Sequence, residues 1–107
     1  MTKVLFVCTG SIDRSPTAED LLGGKSGFEA RSAGTMVGAR RPLTRDEIMW
    51  ADKIFVMEEH HRYSLLQISP NASDKVSVLG IPDLYHRGDP ELVEIIRKKL
   101  SEHGVFL

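Results

Sequence analysis

The chain has 107 residues and a mass of 11.9 kDa, enough for one domain and too little for two with separate cores. Its 14 Lys+Arg against 15 Asp+Glu leave a net charge of -1, which excludes a bulk polybasic surface for nucleic acid or membrane. A single cysteine excludes an intrachain disulfide and an all-cysteine metal site, and the longest apolar run, Val4–Cys8, is too short for a signal peptide or membrane span. One cytoplasmic domain over residues 1–107, an enzyme or a binding module and most simply a monomer, is expected.

Elements alternate along the chain. Lys3–Cys8 (KVLFVC) is apolar, β-branched and aromatic, and reads as a buried strand. Ser15-Pro16 predicts a helix start, with serine as N-cap and proline in the first turn, and Gly23-Gly24 ends that helix. Gly27–Ser32 alternates as a second strand, and Ala33–Leu43, with two glycines, a proline and paired arginines, reads as a loop. Thr44–Asp52 is a short helix capped by Thr44; Lys53–Met57 is a third strand; Glu58–Ile68 is helical; Lys75–Leu79 is a fourth strand. Asp89-Pro90-Glu91 opens the clearest helix, with Leu92, Val93, Ile96 and Leu100 on one face and basic residues before Gly104.

This order implies an α/β fold, a parallel sheet with helices on both faces. Such sheets bind ligands at the carboxyl ends of their strands, where strand order reverses, so the segment after Val7 is the place to seek chemistry. It reads Cys8-Thr9-Gly10-Ser11-Ile12-Asp13-Arg14-Ser15-Pro16. Successive backbone N–H groups from Thr9 to Asp13, leading into a helix start, form a nest for a phosphate dianion. Arg14 adds a planar fork for two phosphate oxygens. An arginine at a helix N-terminus is electrostatically unfavourable unless an anion lies between them. The same donors favour the thiolate of Cys8, which can attack phosphorus, and Ser15 can donate to the sulfur. The plain alternative is a buried cysteine ending a strand and a surface arginine starting a helix.

With these residues the chain resembles the low-molecular-weight protein tyrosine phosphatases, specifically a short branch of predicted tyrosine phosphatases. The likeness lies in KVLFVC, the C-x5-R-S-P loop followed by T-A-E, Arg31–Thr35, the segment Trp50–Glu58 and the region Ile81–Tyr85. It implies a four-stranded parallel sheet in the order 2-1-3-4, and hydrolysis of phosphate monoesters through a phosphocysteine, with neither metal nor cofactor. The substrate is then a phosphorylated protein or a small phosphate ester.

The family's acid stands in a D-P-Y/F motif after the last strand, which matches Asp83-Leu84-Tyr85 here and makes Asp83 the expected general acid, then base. Leucine replaces the motif's proline, and Tyr85 keeps the aromatic expected to wall the pocket. Asp89 is the rival acid, but its setting suits a helix N-cap. Two loop positions depart from longer members: Ser11 stands for an asparagine that shapes the loop, and Asp13 for a second cysteine. A carboxylate at position 13 would oppose phosphate if it faced the pocket, so it is expected to face solvent. Met36, Arg40 and Arg41 are candidates for the pocket entrance. His60 and His61, adjacent on a helix, diverge too far to share a metal and read as solvated. Two other functions share parts of the pattern. A phosphate- or phosphotyrosine-binding module would bind without turnover. An arsenate reductase of the thioredoxin-coupled type needs further cysteines that this chain lacks.

Overall fold

In the computed structural model, which describes all residues from Met1 to Leu107, the first apolar run becomes the inner strand β1 (Thr2–Cys8). It is followed by α1 (Arg14–Gly23), β2 (Phe28–Gly34), α2 (Arg45–Trp50), β3 (Lys53–Val56), α3 (Glu59–Ile68), a 3-10 helix (Pro70–Lys75), β4 (Val76–Val78) and α4 (Pro90–Ser101). The four strands form one sheet in the order β2-β1-β3-β4 with every pairing parallel, as expected.

Alternation along β1 builds the two sides of the core. Val4, Phe6 and Cys8 point to the face covered by α1 and α4, where they meet Ala18, Leu22, Leu92, Ile96 and Leu100. Leu5 and Val7 point to the other face, with Ile48, Ile54 and Leu65 beneath α2 and α3. Burial of a side chain such as Leu92, Ile96 or Leu100 contributes about 1.5–3 kcal/mol each, which is why α4 docks despite its charged outer face.

Most element bounds shift by a residue or two from the sequence reading, and three of the shifts have a clear physical reason. β2 runs two residues further because Ala33 and Gly34 stay paired with Val7 and Cys8. β4 is shorter because Lys75 ends the 3-10 helix, and its ammonium donates to the carbonyls of Ile48 and Ala51 at the end of α2. Helix α1 begins one residue before Ser15, with Asp13 at the N-cap position and no side-chain cap. Ser15 does not cap because it already lies inside the helix, one residue after Arg14. Thr44 and Asp89, by contrast, cap α2 and α4 through the N–H groups of Glu47 and Glu91. Because all strands are parallel, Cys8, Gly34, Val56 and Val78 end at one sheet edge, and the connections after them share that edge.

Candidate active site

The loop Cys8–Asp13 leaves β1 at that edge and is held from outside. The carbonyls of Cys8, Thr9 and Gly10 accept backbone N–H bonds from Thr35, Met36 and Arg40, each 3.0 Å, and that of Ser11 accepts from Arg40 Nε at 2.9 Å. In a planar peptide the N–H points opposite to the carbonyl. Four carbonyls tied outward therefore aim the N–H groups of Thr9, Gly10, Ser11 and Ile12 inward. Ser11 N–H indeed donates to Cys8 Sγ at 3.2 Å, and Ser15 Oγ lies 3.0 Å from the same sulfur. Ser11 takes a positive φ of 55° to turn the loop, and its hydroxyl donates to Ser32 Oγ, which in turn donates to Glu19.

Arg14 is 1% exposed and oriented by three of its five N–H groups. Nη1 donates to Glu58 Oε2 at 2.9 Å and to the carbonyl of Ile81 at 2.7 Å; one hydrogen of Nη2 goes to Thr9 Oγ1 at 3.2 Å. Nε–H and one Nη2–H remain, two donors that a guanidinium can offer to two oxygens of a phosphate. Nε stands 3.8 Å from Asp83 Oδ1. Cys8, Thr9, Gly10, Ile12, Asp13, Arg14, Met36 and Asp83 together line a cavity of about 170 Å³. A larger hollow of about 420 Å³, between α2 and the 3-10 helix, is lined by neither a thiol nor a carboxylate and is not a candidate for this chemistry.

Comparison with known proteins points the same way. A family model described as low molecular weight phosphotyrosine protein phosphatase matches residues 3–54. A protein-arginine-phosphatase of Geobacillus stearothermophilus is 31% identical over 101 residues, covering 72% of this chain and 68% of that protein. The chain belongs to the low-molecular-weight phosphotyrosine protein phosphatase family. Among solved structures, the tyrosine phosphatase Wzb from Escherichia coli K30, in complex with phosphate, is 26% identical with a TM-score of 0.76, covering 94% of both chains. The YwlE arginine phosphatase from Geobacillus stearothermophilus is 26% identical with a TM-score of 0.73, covering 96% of this chain and 92% of that one.

As a member of this phosphatase family, the chain brings most of the expected residues together, with corrections. Asp83 reaches the cavity, whereas Asp89 is spent on capping α4. Asp13 borders the cavity, yet its carboxylate is neither aimed at a phosphate nor free in solvent: Oδ1 accepts the backbone N–H of Arg87 at 3.0 Å. Tyr85 does not wall the cavity. It packs against the core beneath α1 and α4, and Ile12 and Met36 supply the apolar wall instead. Arg40 and Arg41 lie outside the entrance. Arg40 supports the loop from behind, and Arg41 pairs with Glu19.

The largest correction concerns the phosphatase's adjacent histidines. His60 is exposed, but His61 is fully buried behind the loop. Its Nδ1 accepts the N–H of Glu58 at 2.9 Å, so the neutral ring carries its proton on Nε2 and donates to Thr9 Oγ1, also 2.9 Å away. Burial pushes the His61 pKa down to about 4, with the His60 and Arg14 charges adding to it. The hydrogen bond from Arg14 holds Glu58 below the usual carboxylate range despite its partial burial. Glu58, His60 and His61 bring one candidate metal-ligand atom each within 4.8 Å, but His61 Nδ1 is committed to the N–H of Glu58, its Nε2 to Thr9, and one oxygen of Glu58 to Arg14. The sequence reading missed Glu58 and His61. Their signal was an acid and a histidine three residues apart at the start of a helix that follows a strand at the active edge, a capping-box spacing. It also missed Gly34, where a Cβ would lie 2.5 Å from the carbonyl of Thr9 and 2.9 Å from the N–H nitrogen of Ser11.

Proposed function

We propose that this cysteine-dependent phosphatase hydrolyses aryl phosphate monoesters, phosphotyrosine in a protein above all, with Cys8 as nucleophile, Arg14 as phosphate fork and Asp83 as general acid and base. One observation carries the reading: a sulfur that accepts the Ser11 N–H and touches the Ser15 hydroxyl sits in a cup of inward N–H groups, beside an arginine with three of its donors anchored.

The steps follow from those groups. Inward N–H groups and the free edge of Arg14 bind three phosphoryl oxygens and neutralise their charge. The Cys8 thiolate attacks phosphorus opposite the ester oxygen; the S–P bond forms as the P–O bond breaks, and Asp83 gives its proton to the departing oxygen. Asp83, now a carboxylate, takes a proton from water, whose oxygen attacks phosphorus. The S–P bond breaks, inorganic phosphate leaves, and the hydroxyl of Ser15 stabilises the returning thiolate.

Ile12 and Met36 support an aromatic ester, because an aryl ring between them exchanges water for apolar contact. The named arginine phosphatase supports a second reading, a phosphorylated guanidinium, toward which Asp83 offers the complementary charge. Steady-state turnover of a phosphotyrosine peptide and its phosphoarginine counterpart separates the two: kcat/KM is expected to favour phosphotyrosine by at least about tenfold, and the reverse preference assigns the arginine class. On p-nitrophenyl phosphate, Asp83→Asn is expected to lower kcat by about 10²–10⁴-fold. Tight binding of inorganic phosphate without turnover would instead mark a binding module. No helix is long and apolar enough to cross a membrane, and a cytoplasmic site of action is part of the same proposal.

A further inference from the structure

Asp83 is 63% exposed, and nothing in its own side-chain contacts fixes it except a long approach to Arg14. Its position therefore depends on how the connection from β4 to α4 is tied down. At the near end, Ile81 is pinned through its N–H to the carbonyl of Met57 and through its carbonyl to Arg14. From Pro82 to His86 the backbone hydrogen bonds are only local, Leu84 N–H to the carbonyl of Pro82 and Asp89 N–H to that of His86, while the Tyr85 side chain packs against the core. The far end is held by three ties to α1 and its entry. Asp13 Oδ1 accepts the N–H of Arg87 at 3.0 Å. Thr17 Oγ1 accepts the N–H of Gly88 at 3.0 Å while donating to the carbonyl of Asp13 at 2.6 Å. The Arg87 side chain forks onto both oxygens of Asp20, at 2.9 and 3.0 Å.

The tie from Asp13 differs from the other two because its residue precedes Arg14 in the phosphate loop. It is the one bond of the three that links the acid-bearing connection to the loop itself. We propose that Asp13 is a positioning residue for Asp83: by holding Arg87 to the phosphate loop, it sets the reach of the acid to the leaving oxygen. This rests on Asp83 being the general acid. It also gives a role to a carboxylate that electrostatics alone would disfavour beside a phosphate site. Its charge is turned onto a backbone donor and kept at the rim.

The test uses esters that differ in how much they need the acid. Phenyl phosphate has a basic leaving oxygen that must be protonated as the P–O bond breaks. 2,4-Dinitrophenyl phosphate releases a stable anion and needs little help. The value of kcat/KM reports the step that cleaves this bond, and the ratio between the two esters cancels any change in phosphate binding caused by altering charge at position 13. Asp83→Asn should raise the ratio, dinitrophenyl over phenyl, by about 100-fold or more. Asp13→Ala should raise it about tenfold, and Thr17→Val, which keeps the side chain's shape, should raise it in the same direction by a few-fold. Asp13→Asn keeps an oxygen acceptor and should stay within about twofold of wild type. If Asp83→Asn raises the ratio while the folded Asp13 and Thr17 variants leave it unchanged, or slow both esters equally, the positioning role is wrong and the acid assignment stands. An unchanged ratio in Asp83→Asn overturns the acid assignment and the inference with it.

Discussion

Ser11 holds a left-handed backbone conformation at a cost of about 1–2 kcal/mol for a residue other than glycine. The outlay is offset where the loop is gripped: its N–H reaches the sulfur, its hydroxyl reaches Ser32, and its carbonyl is held by Arg40. A serine serves here because Ser32 stands close enough for a short side chain to reach. Gly34 is the partner constraint. A methyl group there meets backbone atoms of Thr9 and Ser11, which have no room to retreat without turning the N–H cup. Gly34→Ala is therefore expected to lower kcat/KM for p-nitrophenyl phosphate by more than about tenfold and to destabilise the fold by about 1–3 kcal/mol, read from denaturant midpoints. Unchanged kinetics would show that the loop tolerates the shift. Cys8 and Arg14 were legible as members of one loop because their spacing after a strand carries a chemical meaning of its own, whereas Asp83 was expected from the resemblance to the family's motif and lines the same cavity. Asp13 was legible as a departure but not in its role, since its partner Arg87 lies 74 residues away and offers only a backbone N–H.

At the scale of elements, the entry to α3 acts as the rear support of the phosphate loop. Glu58 and His61 bond to each other's backbone in a capping box, then reach forward to Arg14 and Thr9. Glu58→Gln weakens a charge-assisted hydrogen bond that aims the arginine, so the inhibition constant of inorganic phosphate is expected to rise several-fold while the fold persists. No change would mean that Ile81 and Thr9 suffice to hold Arg14. His61 also makes stability depend on pH. Its pKa is about 4 when folded against 6.5 for a free histidine, so between these values the unfolded chain binds a proton that the folded chain refuses. The contribution is complete above pH 6.5 and is lost as pH falls, by about 3 kcal/mol on reaching pH 4. Glu58, also held below its ordinary value, extends the loss to still lower pH. Denaturant midpoints measured from pH 7 to 4 should fall less steeply for His61→Asn than for wild type, and parallel curves would contradict the assignment. These supports were not legible because adjacent histidines on a helix look alike in sequence; only the packing of α3 against the loop decides which is buried. The start of α1 misled for a related reason: Ser15 has the chemistry of a cap, but it lies inside the helix with its hydroxyl 3.0 Å from the sulfur of Cys8.

Over the whole molecule, one arrangement positions the site: an inner strand buried on both faces, with every strand ending at the same edge. The alternation of apolar runs and helix starts, with capping signals at Thr44 and Asp89, made this topology legible before any contact was known. The two-residue extension of β2, the 3-10 helix before β4 and the inward turn of Tyr85 were not, because each depends on a distant neighbour. The core carries stability rather than chemistry, so Ile96→Ala is expected to cost about 2–5 kcal/mol in unfolding free energy while leaving kcat/KM within about twofold well below the melting transition. The N–H cup, the anchored arginine and Asp83 border one cavity that holds the sulfur of Cys8. The most direct measurement of that arrangement is turnover of p-nitrophenyl phosphate by folded wild-type and Cys8→Ser proteins. Turnover by the wild type and its loss in the variant are predicted, and phosphatase activity that survives the substitution would contradict the mechanism.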